Sequence, residues 1–164
     1  MSESQSSATS VAISASQVES AVRRYWQVLM QKTVGEMVKF YTYDALVFNP
    51  FSQRTESGRV SAARKEREYF TPQTSFRAEI PGQIEVQLLS KNVAVATYPF
   101  RWYAMNMEEK VLEKRFNKAV REGRATQVFV LSPEGQLSIA SEHLSDIWRD
   151  ATQDAPVHEH RKPL

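Results

Sequence analysis

Glu142 and His143 are neighbours in the sequence, and both belong to residue types that transfer protons in enzymes. Successive side chains of a strand point to opposite faces, so the two cannot act as a pair in the strand predicted here. His143 is the only histidine before residue 158. A single histidine on a strand is more often structural than catalytic, so both roles stay open for His143.

Three further polar residues have positions suited to ligand binding. Asn49 ends an apolar stretch and precedes Pro50, which cannot continue a strand ladder. Its amide either faces a pocket or satisfies the backbone of a turn. Arg124 and Thr126 share one face of a predicted strand, where a guanidinium could hold a carboxylate through two hydrogen bonds. Arg124 could equally be a surface cation.

Aromatic residues supply the remaining candidates. Tyr25 lies on the apolar face of a predicted helix, either as a core residue whose hydroxyl finds a partner or as part of a pocket. Trp102 shares its strand parity with Tyr98 and Phe100. We expect these three side chains to belong to the core first and to line a ligand second.

The composition excludes several kinds of chemistry. The chain has no cysteine, which rules out disulfides, thiolate nucleophiles and thiolate metal ligands. It contains no phosphate-binding loop, no dinucleotide glycine pattern and no Ser-His-Asp order. His158 and His160 flank Glu159, but a polar tail supplies no fixed geometry for a metal ion. We therefore expect neither a metal nor a cofactor.

Charge and hydropathy limit the partners. Lys and Arg outnumber Asp and Glu by 21 to 19, too small an excess for a basic surface that grips nucleic acid. No apolar run approaches the roughly 20 residues of a membrane-spanning helix. The Ser-rich N-terminus lacks the basic and apolar regions of a secretory leader. The sequence therefore predicts a cytoplasmic protein without nucleic-acid or membrane partners.

The elements that must position these residues are mainly helical in the first half of the chain. Hydrophobic periodicity predicts a helix, a short helix, a strand and a third helix, over residues 17–32, 37–42, 45–49 and 58–70. Ser16 and Glu19 fit a capping box at the first helix. A polar loop over residues 53–58 precedes the third helix.

The second half of the chain predicts strands. They lie over residues 84–89, 92–104, 123–131 and 136–145, and a turn-forming tetrad joins the last two. Residues 105–122 either form a helix, which their composition favours, or extend a wide hairpin. Helices followed by an antiparallel sheet predict one α+β domain over residues 16–148. A disordered polar tail over residues 1–15 and a polar tail over 149–164 flank it.

The order of these elements resembles the cone-shaped α+β fold of nuclear transport factor 2, scytalone dehydratase, ketosteroid isomerase and the SnoaL-like polyketide cyclases. The resemblance covers residues 17–147. It rests on the segments AVRRYW, MVKFY leading into YDALVFNP, SGR, GRAT and EHLS, in that order. It implies the cystatin-like arrangement, with three N-terminal helices packed in a curved antiparallel sheet. It also implies a homodimer that pairs through the sheet.

The resemblance places three residues where ketosteroid isomerases carry function. Tyr25 falls at the position of a tyrosine, Asn49 at that of the carboxylate base and Thr126 at that of a protonated acid. An amide has no useful basicity, so steroid isomerase activity is not expected with Asn49 in that place. The ligand-binding residues implied for the cone are Tyr25, Asn49, Trp102, Arg124, Thr126 and His143.

Three functions remain after this comparison. The first is the binding of a small hydrophobic or amphiphilic molecule in the cone. The second is acid–base catalysis of the SnoaL-like type, as an isomerase, cyclase or dehydratase, with His143 as the base. That version requires the His143 ring to open into the same cavity as the Tyr25 hydroxyl. The third is a non-catalytic adaptor that binds another protein through the sheet.

Overall fold

The computed structural model describes residues 12–31, 33–48, 55–69, 74–106 and 121–146. Over these residues the chain forms three helices and seven strands. In chain order they are α1 (Ala15–Met30), α2 (Val34–Val38), β1 (Tyr41–Phe48), β2 (Glu56–Ser57), α3 (Gly58–Tyr69), β3 (Thr74–Glu79), β4 (Glu85–Leu88), β5 (Val93–Asn106), β6 (Arg121–Leu131) and β7 (Leu137–Asp146). The predicted α+β class is confirmed.

Helix α1 begins at a capping box formed by Ser14 and Gln17. The Ser14 hydroxyl accepts the Gln17 N–H at 3.3 Å, and the Gln17 side chain accepts the Ser14 N–H at 2.9 Å. The box predicted at Ser16 and Glu19 is therefore wrong by two residues. A cap residue needs extended backbone, which Ser14 has, whereas Ser16 already lies inside the helix.

One face of α1 is buried along its whole length. Val18, Val22, Tyr25, Trp26 and Leu29 are 0–3% exposed and recur at steps of three and four residues. Burying a large apolar side chain of this kind contributes about 1.5 to 3 kcal/mol. Packing against the sheet, and not helix propensity alone, therefore holds α1 in place.

The strands form one sheet in the order β2-β1-β7-β6-β5-β3, and β4 also pairs with β5. Its strand pairs are antiparallel except for β1 and β7, which run parallel. The antiparallel sheet expected from the sequence thus contains one parallel pair. Parallel pairing requires a long connection, and β1 and β7 are separated by most of the chain.

The two faces of the sheet have different surroundings. On β5, the alternate residues Ala94, Ala96, Tyr98, Phe100 and Trp102 are 0–4% exposed and face α1, where the Trp26 ring stacks on Phe100 at 5.3 Å. We call this side the inner face. The intervening residues of β5 lie on the outer face and are half-buried or exposed. The side-chain alternation predicted for this strand is therefore confirmed.

Several boundaries differ from the prediction. Helix α2 ends at Val38 and β1 begins already at Tyr41, because Tyr41 aligns with Ile139 of β7. The short strand β2 and the strand β3 were not predicted, since their order comes from pairing with β1 and β5. The ends of the segment 105–122 are strand. Its middle, 107–120, lies outside the described residues, as do residues 1–11 of the predicted N-terminal tail and the whole predicted C-terminal tail.

Two glycines allow close packing around the inner face. A Cβ atom on Gly123 would meet the Phe100 ring and the Ser145 carbonyl oxygen, and one on Gly58 would meet the Tyr41 ring. Neither position has room for a side chain. Glycine is therefore required where β6 passes Phe100 and where α3 begins beside Tyr41.

Candidate functional site

The site is built around Glu142, a carboxylate on the inner face of β7 that is 1% exposed. Its Oε1 atom accepts hydrogen bonds from the Tyr25 hydroxyl at 3.2 Å and from the Tyr41 hydroxyl at 3.1 Å. The two hydroxyl oxygens are 3.1 Å apart. Helix α1 thus presents Tyr25, and the start of β1 presents Tyr41, to one oxygen of the same carboxylate.

The other carboxylate oxygen belongs to a second set of contacts. Gln127 on β6 donates its side-chain N–H to Glu142 Oε2 at 2.7 Å. The Gln127 carbonyl accepts the Tyr98 hydroxyl at 2.9 Å, and the Tyr98 oxygen accepts the Trp26 indole N–H at 3.0 Å. We refer to Tyr25, Tyr41, Gln127 and Glu142 as the carboxylate cluster.

Burial governs the acidity of the tyrosines. Burial, and next to it the negative charge of Glu142, raises the pKa of the Tyr25 hydroxyl well above its ordinary value. The same two causes, in the same order, raise the pKa of Tyr41 and of Tyr98. These three hydroxyls therefore remain protonated at physiological pH and act as hydrogen-bond donors.

Aromatic rings surround the carboxylate cluster. The Tyr25 ring makes edge contacts with Trp26, Phe40 and Tyr41 at centroid distances of 5.6, 5.7 and 6.3 Å. Trp102, a predicted ligand residue, is 4% exposed on the inner face with its ring 6.5 Å from Trp26. A carboxylate with phenolic donors inside such an apolar shell can hold a polar group of a ligand or accept a proton from it.

His143 lies on the outer face, opposite Glu142. It is exposed, and its ring contacts Phe48 at 5.3 Å. Its alignment with Thr126 places both on the side of the sheet away from Tyr25. The hypothesis that His143 is a base sharing a cavity with Tyr25 is therefore wrong.

Arg124 and Thr126 also lie on the outer face, because the inward positions of β6 are those of Ala125 and Gln127. They line a groove of about 620 Å³ together with Thr97, Pro99 and residues at the start of β4. The structure therefore separates the predicted ligand residues into two groups. Tyr25 and Trp102 lie at the inner face of the sheet, whereas Arg124, Thr126 and His143 lie on its outer face. Asn49 is not among the residues that the structure describes.

The described residues contain no group of three His, Asp or Glu side chains placed to hold a metal ion. The segment with His158 and His160 lies beyond them. Among the helices that the structure describes, none has the length and apolar character needed to cross a bilayer.

Neither a protein-family model nor a curated protein matches the sequence. Solved structures do match the fold. An NTF2-like protein of unknown function from Pseudomonas putida KT2440 superposes with a TM-score of 0.66 at 18% identity, over 86% of this chain and 92% of that one. This chain has the nuclear transport factor 2-like fold. That fold, also described as cystatin-like, is the one the sequence resemblance implied.

Two further structures with the nuclear transport factor 2-like fold carry descriptions of activity. A candidate scytalone dehydratase from Novosphingobium aromaticivorans has a TM-score of 0.59 at 15% identity, over 80% of this chain and 82% of that one. A candidate ketosteroid isomerase from Parabacteroides distasonis has a TM-score of 0.59 at 18% identity, over 85% of this chain and 92% of that one. Identities this low establish the fold alone, so function must be argued from the residues.

Sequence reasoning missed most of the carboxylate cluster of this nuclear transport factor 2-like fold. Of its four residues only Tyr25 was among the predicted ligand residues, and the predicted base was His143 and not its neighbour Glu142. A signal was available, because Glu142 has the strand parity of Leu144, and Gln127 that of Ala125 and Phe129. Apolar neighbours at two-residue steps place both polar side chains on the inner face.

Proposed function

We propose that this protein binds a small, largely apolar molecule inside its cone, and that the carboxylate cluster binds a polar group of that molecule. The observation that carries the proposal is a fully buried carboxylate held by two tyrosine hydroxyls within a shell of aromatic side chains. Burying a carboxylate is costly unless donors compensate it, and three elements supply the donors here. Apolar walls with a few convergent polar groups are typical of small-molecule sites.

The acceptor character of Glu142 indicates the kind of polar group. Tyr25 and Tyr41 both donate to Glu142 Oε1, and their hydroxyl oxygens are 3.1 Å apart. An ionised carboxylate accepts hydrogen bonds and donates none. The cluster therefore favours a ligand that donates a hydrogen bond, such as a phenol, an enol or another hydroxyl compound.

Binding of 2-naphthol tests this proposal, with 2-methoxynaphthalene as the analogue that has the same rings and no proton to donate. We expect 2-naphthol to bind about fivefold to tenfold more tightly, the effect of about one hydrogen bond. The Glu142→Gln variant should weaken this preference, because an amide oxygen is a weaker hydrogen-bond acceptor than a carboxylate oxygen. The His143→Ala variant, altered on the outer face, should keep it. Equal affinities of both compounds for the unmodified protein would refute the proposal.

Acid–base catalysis is a second candidate function, with Glu142 as the proton acceptor in place of His143. The contact of one carboxylate with two phenolic donors favours it, since a base beside hydroxyl donors can both remove a proton and stabilise the charge that develops. Solved structures of the same fold include a candidate dehydratase and a candidate isomerase, which are enzymes of this reaction class.

A general probe for such a base is 5-nitrobenzisoxazole, an apolar heterocycle. Removal of its carbon-bound proton breaks the nitrogen–oxygen bond and releases a coloured phenolate. We expect the protein to accelerate this elimination, and Glu142→Gln to lower the rate by about 100-fold, the usual contribution of a positioned base. His143→Ala serves as the control. An unchanged rate in Glu142→Gln would remove this candidate.

A further inference from the structure

Three side chains link α1 to Glu142 across three adjacent strands. Trp26 on α1, Tyr98 on β5 and Gln127 on β6 form a continuous line of hydrogen bonds that ends at Glu142 on β7. Their exposed fractions are 0–3%. The line reaches Glu142 Oε2, whereas Tyr25 and Tyr41 donate to Oε1.

Donor and acceptor chemistry fixes the direction of every bond in this line. An indole N–H can only donate, so the Tyr98 oxygen accepts from Trp26. The single Tyr98 proton then goes to the Gln127 carbonyl. Because its carbonyl is engaged there, Gln127 turns its N–H group toward Glu142 Oε2. All three bonds therefore point toward the carboxylate.

The starting point of the line is held by packing. The Trp26 ring stacks on Phe100 and makes edge contacts with Tyr98 and Trp102. A ring fixed on several sides presents its N–H in one direction only. The orientation of the Gln127 amide is thus set by an anchored donor two hydrogen bonds away.

We infer that Gln127, locked by Tyr98 and Trp26, is a positioning residue that orients the Glu142 carboxylate for the ligand. It holds Oε2, so that Oε1 stays between Tyr25 and Tyr41. The orienting role of Gln127 rests on the proposed function, whereas the coupling along the line of hydrogen bonds is independent of any ligand.

The first arm of the test uses the ligand-free full chain. Heteronuclear NMR follows the indole N–H signal of Trp26, which reports the hydrogen bond at the far end of the line. Glu142→Gln should shift this signal, and the same substitution should leave it unmoved when Tyr98→Phe has broken the line. Phe129→Leu, a core change on β6 outside the line, controls for general repacking. The inference would be overturned if the Trp26 signal did not shift in Glu142→Gln. It would also be overturned if Glu142→Gln shifted the signal by the same amount with and without Tyr98→Phe.

The second arm measures binding of 2-naphthol and 2-methoxynaphthalene to Gln127→Met, which keeps the volume of the side chain and removes its hydrogen bonds. We expect both compounds to bind and the preference for 2-naphthol to fall at least about threefold. An undiminished preference would show that Gln127 does not orient Glu142. If the NMR coupling is present while the unmodified protein shows no preference, the proposed function fails and the coupled line stands.

Discussion

Glu142 shows how a charged residue type can belong to a core. Its carboxylate receives donors from Tyr25, Tyr41 and Gln127, and burial keeps the pKa of both tyrosines well above the ordinary value, so that they go on donating. Each donor comes from a different element. The position of one carboxylate thereby depends on α1, β1 and β6 being correctly assembled.

Loss of the Tyr98 hydroxyl should be costly because two buried groups depend on it. In Tyr98→Phe the Trp26 N–H and the Gln127 carbonyl lose their partner. We expect a loss of about 2 to 4 kcal/mol in unfolding free energy, since a buried polar group without a partner costs about 1 to 3 kcal/mol. Denaturant unfolding of Tyr98→Phe and of the unmodified protein measures this loss.

The matched control is Tyr103→Phe. The Tyr103 hydroxyl donates to Glu79 at 3.0 Å at a half-buried position on the outer face, where water can replace it. Its loss should change the unfolding free energy by less than about 1 kcal/mol. Equal losses of unfolding free energy in Tyr98→Phe and Tyr103→Phe would show that burial does not determine the cost of losing the hydroxyl.

At the scale of the elements, Gly123 controls how closely β6 can approach its neighbours. A Cβ there would meet the Ser145 carbonyl oxygen as well as the Phe100 ring, and a backbone atom held in a sheet cannot move aside. We expect Gly123→Ala to lower the unfolding free energy by at least about 3 kcal/mol.

Gly35→Ala provides the comparison. Nothing lies within 4 Å of a Cβ at this position in α2, and alanine is the better helix former, so we expect a gain of up to about 1 kcal/mol. Thermal or denaturant unfolding of Gly123→Ala and Gly35→Ala measures both changes in unfolding free energy. A stable Gly123→Ala protein would show that β6 has more freedom than its contacts indicate.

The elements were more predictable from the sequence than the site. Helix α1 and strand β5 are each buried on one side, so their apolar residues recur with the period of a helix or a strand. Strands β2 and β3 show no such pattern, because their formation depends on pairing with the strands beside them. The side of the sheet taken by His143 depends on strand parity and on a register irregularity near Phe129. The resemblance implied His143 as a cone residue but left open the side of the sheet on which it lies.

For the molecule as a whole, the buried tyrosines predict a limit at alkaline pH. The folded-state pKa values of Tyr25, Tyr41 and Tyr98 lie above the ordinary value of about 10 that applies on unfolding. Their contribution is therefore complete below about pH 10 and is lost as the pH rises above it. Each tyrosine adds a slope of up to about 1.4 kcal/mol per pH unit.

Denaturant unfolding at a series of alkaline pH values tests this limit. The unfolding free energy of the unmodified protein should fall steeply above about pH 10, and Tyr25→Phe should fall less steeply. Parallel curves for the two proteins would argue against the raised pKa of Tyr25.

The outer face of the sheet carries a continuous, mostly uncharged surface. Two rows of aligned residues cross it from β1 to β4. They are Leu46, Ser141, Val128, Val95 and Gln87 in one row and Phe48, His143, Thr126, Thr97 and Glu85 in the next. Leu46 and Phe48 are 57% and 45% exposed. We propose that this surface, mostly uncharged, pairs with a second copy of the chain.

The mass in solution tests this pairing. Light scattering after gel filtration should give a dimer for the unmodified protein and a monomer for Val128→Glu, since a carboxylate would be buried unpaired at the centre of the interface. Leu88→Glu alters an exposed leucine outside the two rows and should leave the mass unchanged. A monomeric unmodified protein would exclude the pairing and leave the surface for a different partner.

The parallel pairing of β1 with β7 sets the order in which a newly made chain can fold. Tyr41 and Glu142 are 101 positions apart, so the hydroxyls of Tyr25 and Tyr41 leave the ribosome long before the carboxylate that they contact. At usual rates of synthesis the delay is about 5 to 20 seconds. During that time Tyr25 and Tyr41 lack the carboxylate that they contact in the folded protein. The carboxylate cluster can therefore form only after β7 has been made.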